Sequence, residues 1–228
     1  MYEDFISESS VLFRDFRINT VIKRFSESDL NSLNKQELSV WNNKKRHVRN
    51  GEDWVVGRIT AKYAIGKCLG INVNDIIQID IFNDKNGAPY ISECKQNNIA
   101  FSISHCDSIG FSCGSRDVLG IGCDIEKIRN RHPNFAKYYL HQREKESWFK
   151  TLSHEDEDTI LTVAWACKEA SYKSFSKKKK LPENIGNINV FPSSTGKEFH
   201  YHTKYVKGMG FWEKCGRYVL CVALIGED

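Results

Sequence analysis

The chain has 228 residues, long enough for one large domain or two small ones, and its 40% hydrophobic and 27% charged content excludes wholesale disorder. A formal net charge of +4 suits acidic partners or phosphorylated ligands and falls short of a dedicated nucleic-acid binder. The acidic N-terminal stretch MYEDFISESS lacks the basic and apolar regions of a secretory signal. No apolar run approaches the roughly 18 residues that cross a bilayer, so a cytoplasmic protein without membrane contact is expected.

In chain order, Val11–Ile18 alternates weakly and predicts an opening strand. Leu30, Leu33, Leu38 and Trp41 then follow helical spacing. The basic run Lys44–Arg49 leads into Glu52-Asp53, acids suited to the first turn of a helix over about Glu52–Leu69, with Gly70 as its C-terminal cap. Arg58 and Lys62 share one face of that helix, as a solvated surface or as an anion site. Ile77, Ile79 and Ile81 alternate as a strand, and Asp84-Lys85-Asn86-Gly87 marks a turn.

Ile99–His105 alternates again, with Ile103 and His105 on one face and Ser102 and Ser104 on the other. Ile109–Cys113 and Val118–Ile125 read as two further strands joined by a turn at Ser115–Asp117. Helices are expected over Phe135–Lys150 and Glu157–Ser176, the second ended by Lys177–Lys180 and Pro182. Strands are expected at Asn187–Phe191, Phe199–Val206 and Arg217–Ile225. The element order of residues 1–120 repeats in 121–228, which predicts an α+β protein of two comparable halves, with a cleft between them as the natural ligand site.

The eight cysteines form no C-x-x-C pair, and several fall in apolar strand patterns, so reduced core thiols are expected. Asp124 and Glu126 are two residues apart on a strand and therefore face the same way, as half of a divalent-metal site. Trp165, Glu169 and Lys173 recur every four residues along one helix face; Glu169 and Lys173 alone could be an intrahelical ion pair. Asp124, Glu126 and Glu169 together are too few for calcium and suit magnesium, with manganese as a substitute, bound through carboxylates, water and a ligand's phosphates. Basic groups around such an ion imply a diphosphate.

Ile103-Ser104-His105, Gly122-Cys123-Asp124-Ile125-Glu126 and Trp165-Ala166-Cys167-Lys168-Glu169-Ala170 with Lys173 resemble, in order and separation, the motifs of the 4′-phosphopantetheinyl transferases, in their longer, Sfp-type branch. Arg49, Asp53-Trp54 and Gly57-Arg58 resemble that branch's basic segment, and Gly87-Ala88-Pro89-Tyr90 its G-K-P-x element, with Ala88 in place of lysine. Cys123 and Cys167 replace the more usual small or apolar residues beside the acids.

The resemblance implies an intramolecular pseudo-dimer of two α+β halves holding coenzyme A. It implies a holo-acyl-carrier-protein synthase activity: transfer of phosphopantetheine from coenzyme A to a serine of an acyl or peptidyl carrier protein. Adenosine 3′,5′-bisphosphate is the other product, and the branch leans towards secondary metabolism. On it, Asp124, Glu126 and Glu169 hold magnesium on the diphosphate, and Glu169 is the base for the serine. Lys173 and Lys168 meet the phosphates or the leaving group. Ser104 and His105 bind a coenzyme phosphate, with Arg49 and Arg58 nearer the nucleotide. A monomer without nucleic-acid partners is expected. The alternatives are a magnesium-dependent diphosphate hydrolase and a non-catalytic carrier-binding module; retention of the acids with Lys173 weighs against the latter.

Overall fold

A computed structural model describes residues 6–44, 48–85, 87–91, 98–132, 134–175, 182 and 184–226. The chain divides between Asp117 and Val118 into two compact units, each α+β.

In the first unit, the expected opening strand is a hairpin. β1 (Ile6–Phe13) and β2 (Phe16–Arg24) pair antiparallel, and the chain reverses at Arg14, whose φ of 54° lies in the left-handed region. The turn contains neither glycine nor proline, and Asp15 is its one turn-favouring residue. A 3₁₀ turn over Glu27–Ser32 and helix α1 (Lys35–Lys44) follow. Helix α2 (Val48–Leu69) starts four residues earlier than its acidic pair suggests, and Gly70, at φ +66°, closes it. Strands β5 (Ala100–Cys106) and β6 (Ile109–Ser115) complete an antiparallel sheet ordered β1-β2-β6-β5, and α2 packs on β6, β5 and β2.

The acids Glu52 and Asp53 cap the tight β5–β6 turn. Ser108 donates its N–H to Asp53 Oδ1 at 2.7 Å and its hydroxyl to Glu52 Oε2 at 2.6 Å. The alternation at Ile77–Ile81 is not a single strand. It splits into a 3₁₀ turn over Val73–Gln78, capped by the Asn72 side chain, and a three-residue strand β3 (Ile81–Asn83) paired with β4 (Pro89–Ile91). Ile76, Ile79, Ile81 and Ile91 are buried under α2 beside Ala61 and Ile65.

The second unit opens with β7 (Gly120–Lys127), an edge strand of a five-stranded antiparallel sheet. Helices α3 (Gln142–Thr151) and α4 (Glu157–Ser174) follow, then β8 (Asn189–Pro192), β9 (Glu198–His202), β10 (Lys207–Cys215) and β11 (Tyr218–Ile225). The sheet order is β7-β11-β10-β9-β8, and α4 lies on β7 and β11. Ser115–Asp117 therefore joins no hairpin: β6 and β7 belong to different sheets. The long strand β10 falls between the strands expected at Phe199–Val206 and Arg217–Ile225. Its Gly208 and Gly210 sit where added Cβ atoms would strike the rings of Tyr201 and Phe199, so they remove the alternation a strand normally displays. The core gathers Trp148, Tyr139, Phe175, Tyr201 and Phe199, and Trp148 donates its indole N–H to the Val190 carbonyl at 3.0 Å. Among the described residues no disulfide joins two cysteines.

Candidate active site

The face of β7 that meets α4 carries Gly120, Gly122, Asp124 and Glu126, one at every second position. A Cβ on Gly120 would meet the carbonyl of Ser174, and one on Gly122 the carbonyl of Ala170. Bare backbone at these two positions lets α4 lie directly on the strand. Strand and helix run in opposite directions, so the later acids of β7 meet earlier turns of the helix. Asp124 Oδ1 accepts a hydrogen bond from Lys173 Nζ at 2.7 Å, and Glu126 Oε1 accepts one from the indole of Trp165 at 3.1 Å. Trp165, Glu169 and Lys173 form a half-buried stripe on a helix that is otherwise mostly buried.

Burial raises the Glu169 carboxyl above the usual range; Lys173 pulls it back, and the charges of Asp124 and Glu126 push it up again. Burial alone would lower the Lys173 ammonium, but Asp124, with Cys123 and Glu169, outweighs it and holds the lysine firmly charged. Glu169 thus feels the negative charges of Asp124 and Glu126 together with the opposing charge of Lys173. All three offer hard carboxylate oxygen, the donor set for magnesium or manganese. Among the described residues no group of three His, Cys, Asp or Glu side chains encloses a metal by itself. Such an arrangement fits an ion held by one or two carboxylates, with water and ligand phosphate completing its shell.

Lys168 departs from the expected set. It is wholly buried, its ammonium lying 3.1 and 3.2 Å from the two oxygens of an equally buried Glu144. Glu144 also accepts the N–H groups of His141 and Val190 at 2.8 and 2.7 Å. The pair ties α4 to α3 and β8. One residue before Glu169, the helix turns Lys168 into the core, so the chain gives it a structural partner in place of a coenzyme phosphate.

Sequence reasoning missed Arg131. Its guanidinium donates to Glu126 Oε2 at 2.6 Å and lies 4.8 Å over the ring of Phe135, which packs against Trp165. Both oxygens of Glu126 are therefore held, one by Trp165 and one by Arg131. A single arginine in a loop has no periodicity, so no sequence signal pointed to it.

In the first unit, Arg58 and His105 line a cavity of about 550 Å³ with Trp54, Gly57 and Asn83. A Cβ on Gly57 would crowd the Ile103 side chain at 3.0 Å and reach ordinary contact with His105 at 3.5 Å, so the glycine leaves room beside both. Arg58 is buried, hydrogen-bonded to Asn83 Oδ1 and stacked 5.5 Å over Trp54; burial lowers its guanidinium, against the pull of Glu37. His105 is half exposed, with Nδ1 3.7 Å from Asp53 Oδ2. Ser104 is buried on the other face of β5 and does not line the cavity. The backbone at Arg49 is helical within α2, while its side chain and Lys177–Lys180 lie outside the described residues.

The second unit thus presents a carboxylate–ammonium cluster where a glycine-bared strand meets a helix, and a divalent cation on its carboxylates would suit it to a phosphorylated ligand. Residues 120–223 match the family model of the 4′-phosphopantetheinyl transferase superfamily. No curated protein matches the chain. Among the described residues, no helix is long and apolar enough to cross a membrane.

Proposed function

We propose that the protein is a 4′-phosphopantetheinyl transferase of the Sfp type, moving phosphopantetheine from coenzyme A to the serine of an acyl or peptidyl carrier protein. The observation that carries this reading is the convergence of Asp124, Glu126, Glu169 and Lys173 on one β7–α4 seam, inside the segment that matches the superfamily.

In this reading, one or two of the carboxylates of Asp124, Glu126 and Glu169 would hold a magnesium ion, with water and ligand phosphate completing its shell, and the ion would supply positive charge against the diphosphate oxygens. Glu169, directly or through water, takes the proton of the carrier serine as its oxygen attacks the phosphorus bearing the pantetheine arm. The phosphorus–oxygen bond to the nucleotide breaks, and Lys173 offers its charge to the departing adenosine 3′,5′-bisphosphate. Arg58 and His105 take a phosphate at the nucleotide end. Arg131, released from Glu126, is a further cation within reach of the same acids.

The test is incubation with coenzyme A, magnesium and a panel of apo carrier domains, read by intact mass. The expected result is one phosphopantetheine added per carrier, abolished by Glu169→Gln. Cleavage of coenzyme A with no carrier modified would replace the transferase with a diphosphate hydrolase, and full activity of Glu169→Gln would remove its role as base.

A further inference from the structure

Two residues that line the cavity of the first unit each carry a buried charged atom with no hydrogen-bond partner, and the two atoms have opposite character. Glu37 and Arg58, exposed by only 5% and 7%, both line it. Glu37 Oε2 is saturated: it accepts from Lys62 Nζ at 2.6 Å and from the Asn34 N–H at 3.0 Å. Lys62 is wholly buried and also donates to the carbonyls of Ser32 and Ile77. Asn34 Oδ1 in turn accepts the Glu37 N–H at 2.8 Å, a reciprocal cap at the start of α1. One carboxylate oxygen therefore does all the structural work. The other, Oε1, is buried without a partner, as is Nη1 of Arg58, whose Nη2 is engaged by Asn83.

A buried charged acceptor left unmatched is costly, and so is a buried charged donor. A ligand that relieves both must bring an anion for Arg58 and a hydrogen-bond donor for Glu37. Inorganic phosphate at neutral pH offers Arg58 a partner and sets like charge against Glu37. A nucleoside phosphate offers both, since ribose hydroxyls and exocyclic base amines donate. Trp54, stacked on Arg58, adds a flat apolar wall.

We propose that Glu37 Oε1 accepts a hydrogen bond from the nucleoside part of coenzyme A and so determines which nucleotide the cavity accepts. Lys62 is the positioning residue that holds the Glu37 carboxylate in place through its 2.6 Å contact with Oε2. This rests on the transferase reading for the identity of the ligand; the cavity and its two unmatched atoms do not depend on it.

The donor is either the base amine or the ribose 2′-hydroxyl, and two analogues separate them: a coenzyme with hypoxanthine for adenine, and one with 2′-deoxyribose. Titration calorimetry on the wild-type protein is expected to show one analogue bound about 10- to 100-fold more weakly than coenzyme A, the other little changed. Glu37→Gln can keep its carbonyl on Lys62 and the Asn34 N–H and turn its NH₂ into the cavity, replacing an acceptor with a donor. It is expected to bind coenzyme A at least about tenfold more weakly and to lose the discrimination between analogues. If the variant does not fold, the wild-type series decides alone. Equal affinity of the wild type for coenzyme A and both analogues overturns the inference, as does discrimination that survives in folded Glu37→Gln. Failure of the wild type to bind coenzyme A at all overturns the transferase reading, and the role of Glu37 with it.

Discussion

Replacing Lys168 by Met separates the two roles open to that lysine. The change keeps an unbranched apolar stem of similar length and deletes the ammonium. Glu144 then stays fully buried with two backbone N–H partners and no counter-charge, both side chains of the pair being 0% exposed. Removing one partner of such a pair costs about 3–5 kcal/mol, because the survivor is an uncompensated buried charge. For a chain of this size that lowers Tm by roughly 6–20 °C. Differential scanning calorimetry measures the loss, and calorimetric titration below the new Tm measures the affinity of the folded protein for coenzyme A. A large loss of Tm with coenzyme affinity retained is expected. An unchanged Tm with weakened coenzyme binding would refute the structural role and return Lys168 to the phosphates.

Three further outcomes follow from the geometry. Gly122→Ala drives a Cβ into the backbone carbonyl of Ala170 and should cost about 1–3 kcal/mol or more in urea unfolding, since neither backbone can yield cheaply; a neutral effect would mean α4 does not rest on β7 there. Arg131→Gln removes a cation from Glu126, so manganese binding followed by electron paramagnetic resonance should tighten roughly fourfold or more, the effect of a unit charge a few ångströms away even at water's dielectric constant; weaker binding would contradict it. Asp156 caps α4 by accepting the Thr159 N–H at 2.9 Å, and hydrogen bonds from the Thr159 backbone and hydroxyl hold its carboxyl below the usual range. Its lowered value makes the cap's charge-dependent part fully present above the unfolded value of about 3.9 and lost as pH falls through the folded one. Asp156→Ala should therefore cost about 1 kcal/mol near neutrality and progressively less below about pH 4, whereas Asp156→Asn should remove the pH dependence and keep the cap.

The site elements were legible because their residues obey simple periods. On β7 the acids recur every second position, and on α4 the Trp165–Glu169–Lys173 stripe recurs every fourth. Where the reading failed, the period was hidden or borrowed. β10 lost its alternation to Gly208 and Gly210, while Ile77, Ile79 and Ile81 alternate without forming one strand. Lys168 shows the limit of motif logic: its neighbour faces the acids, but a helical step of about 100° turns it inward, and Glu144, its partner 24 residues earlier, carries no mark of the pairing in the sequence. Glu37 left a usable trace, an Asn-x-x-Glu cap signature at residues 34–37, which announces a helix start and says nothing of the spare oxygen.

The Lys168–Glu144 pair also fixes the angular setting of α4. On the seam side α4 rests on the bare backbone of Gly120 and Gly122 and is tied to β7 by Lys173–Asp124 and Trp165–Glu126; on the far side the buried pair resists a roll about the helix axis. A roll of about 10° at the roughly 5–6 Å radius of a side-chain tip swings Glu169 by about 1 Å, a displacement that can cost a hundredfold in rate. The inward lysine, clamped to α3 and β8, acts as a key in a keyway. Substitutions around Trp148 and Val190, far from any ligand, therefore have a route to change turnover without touching a single group at the site.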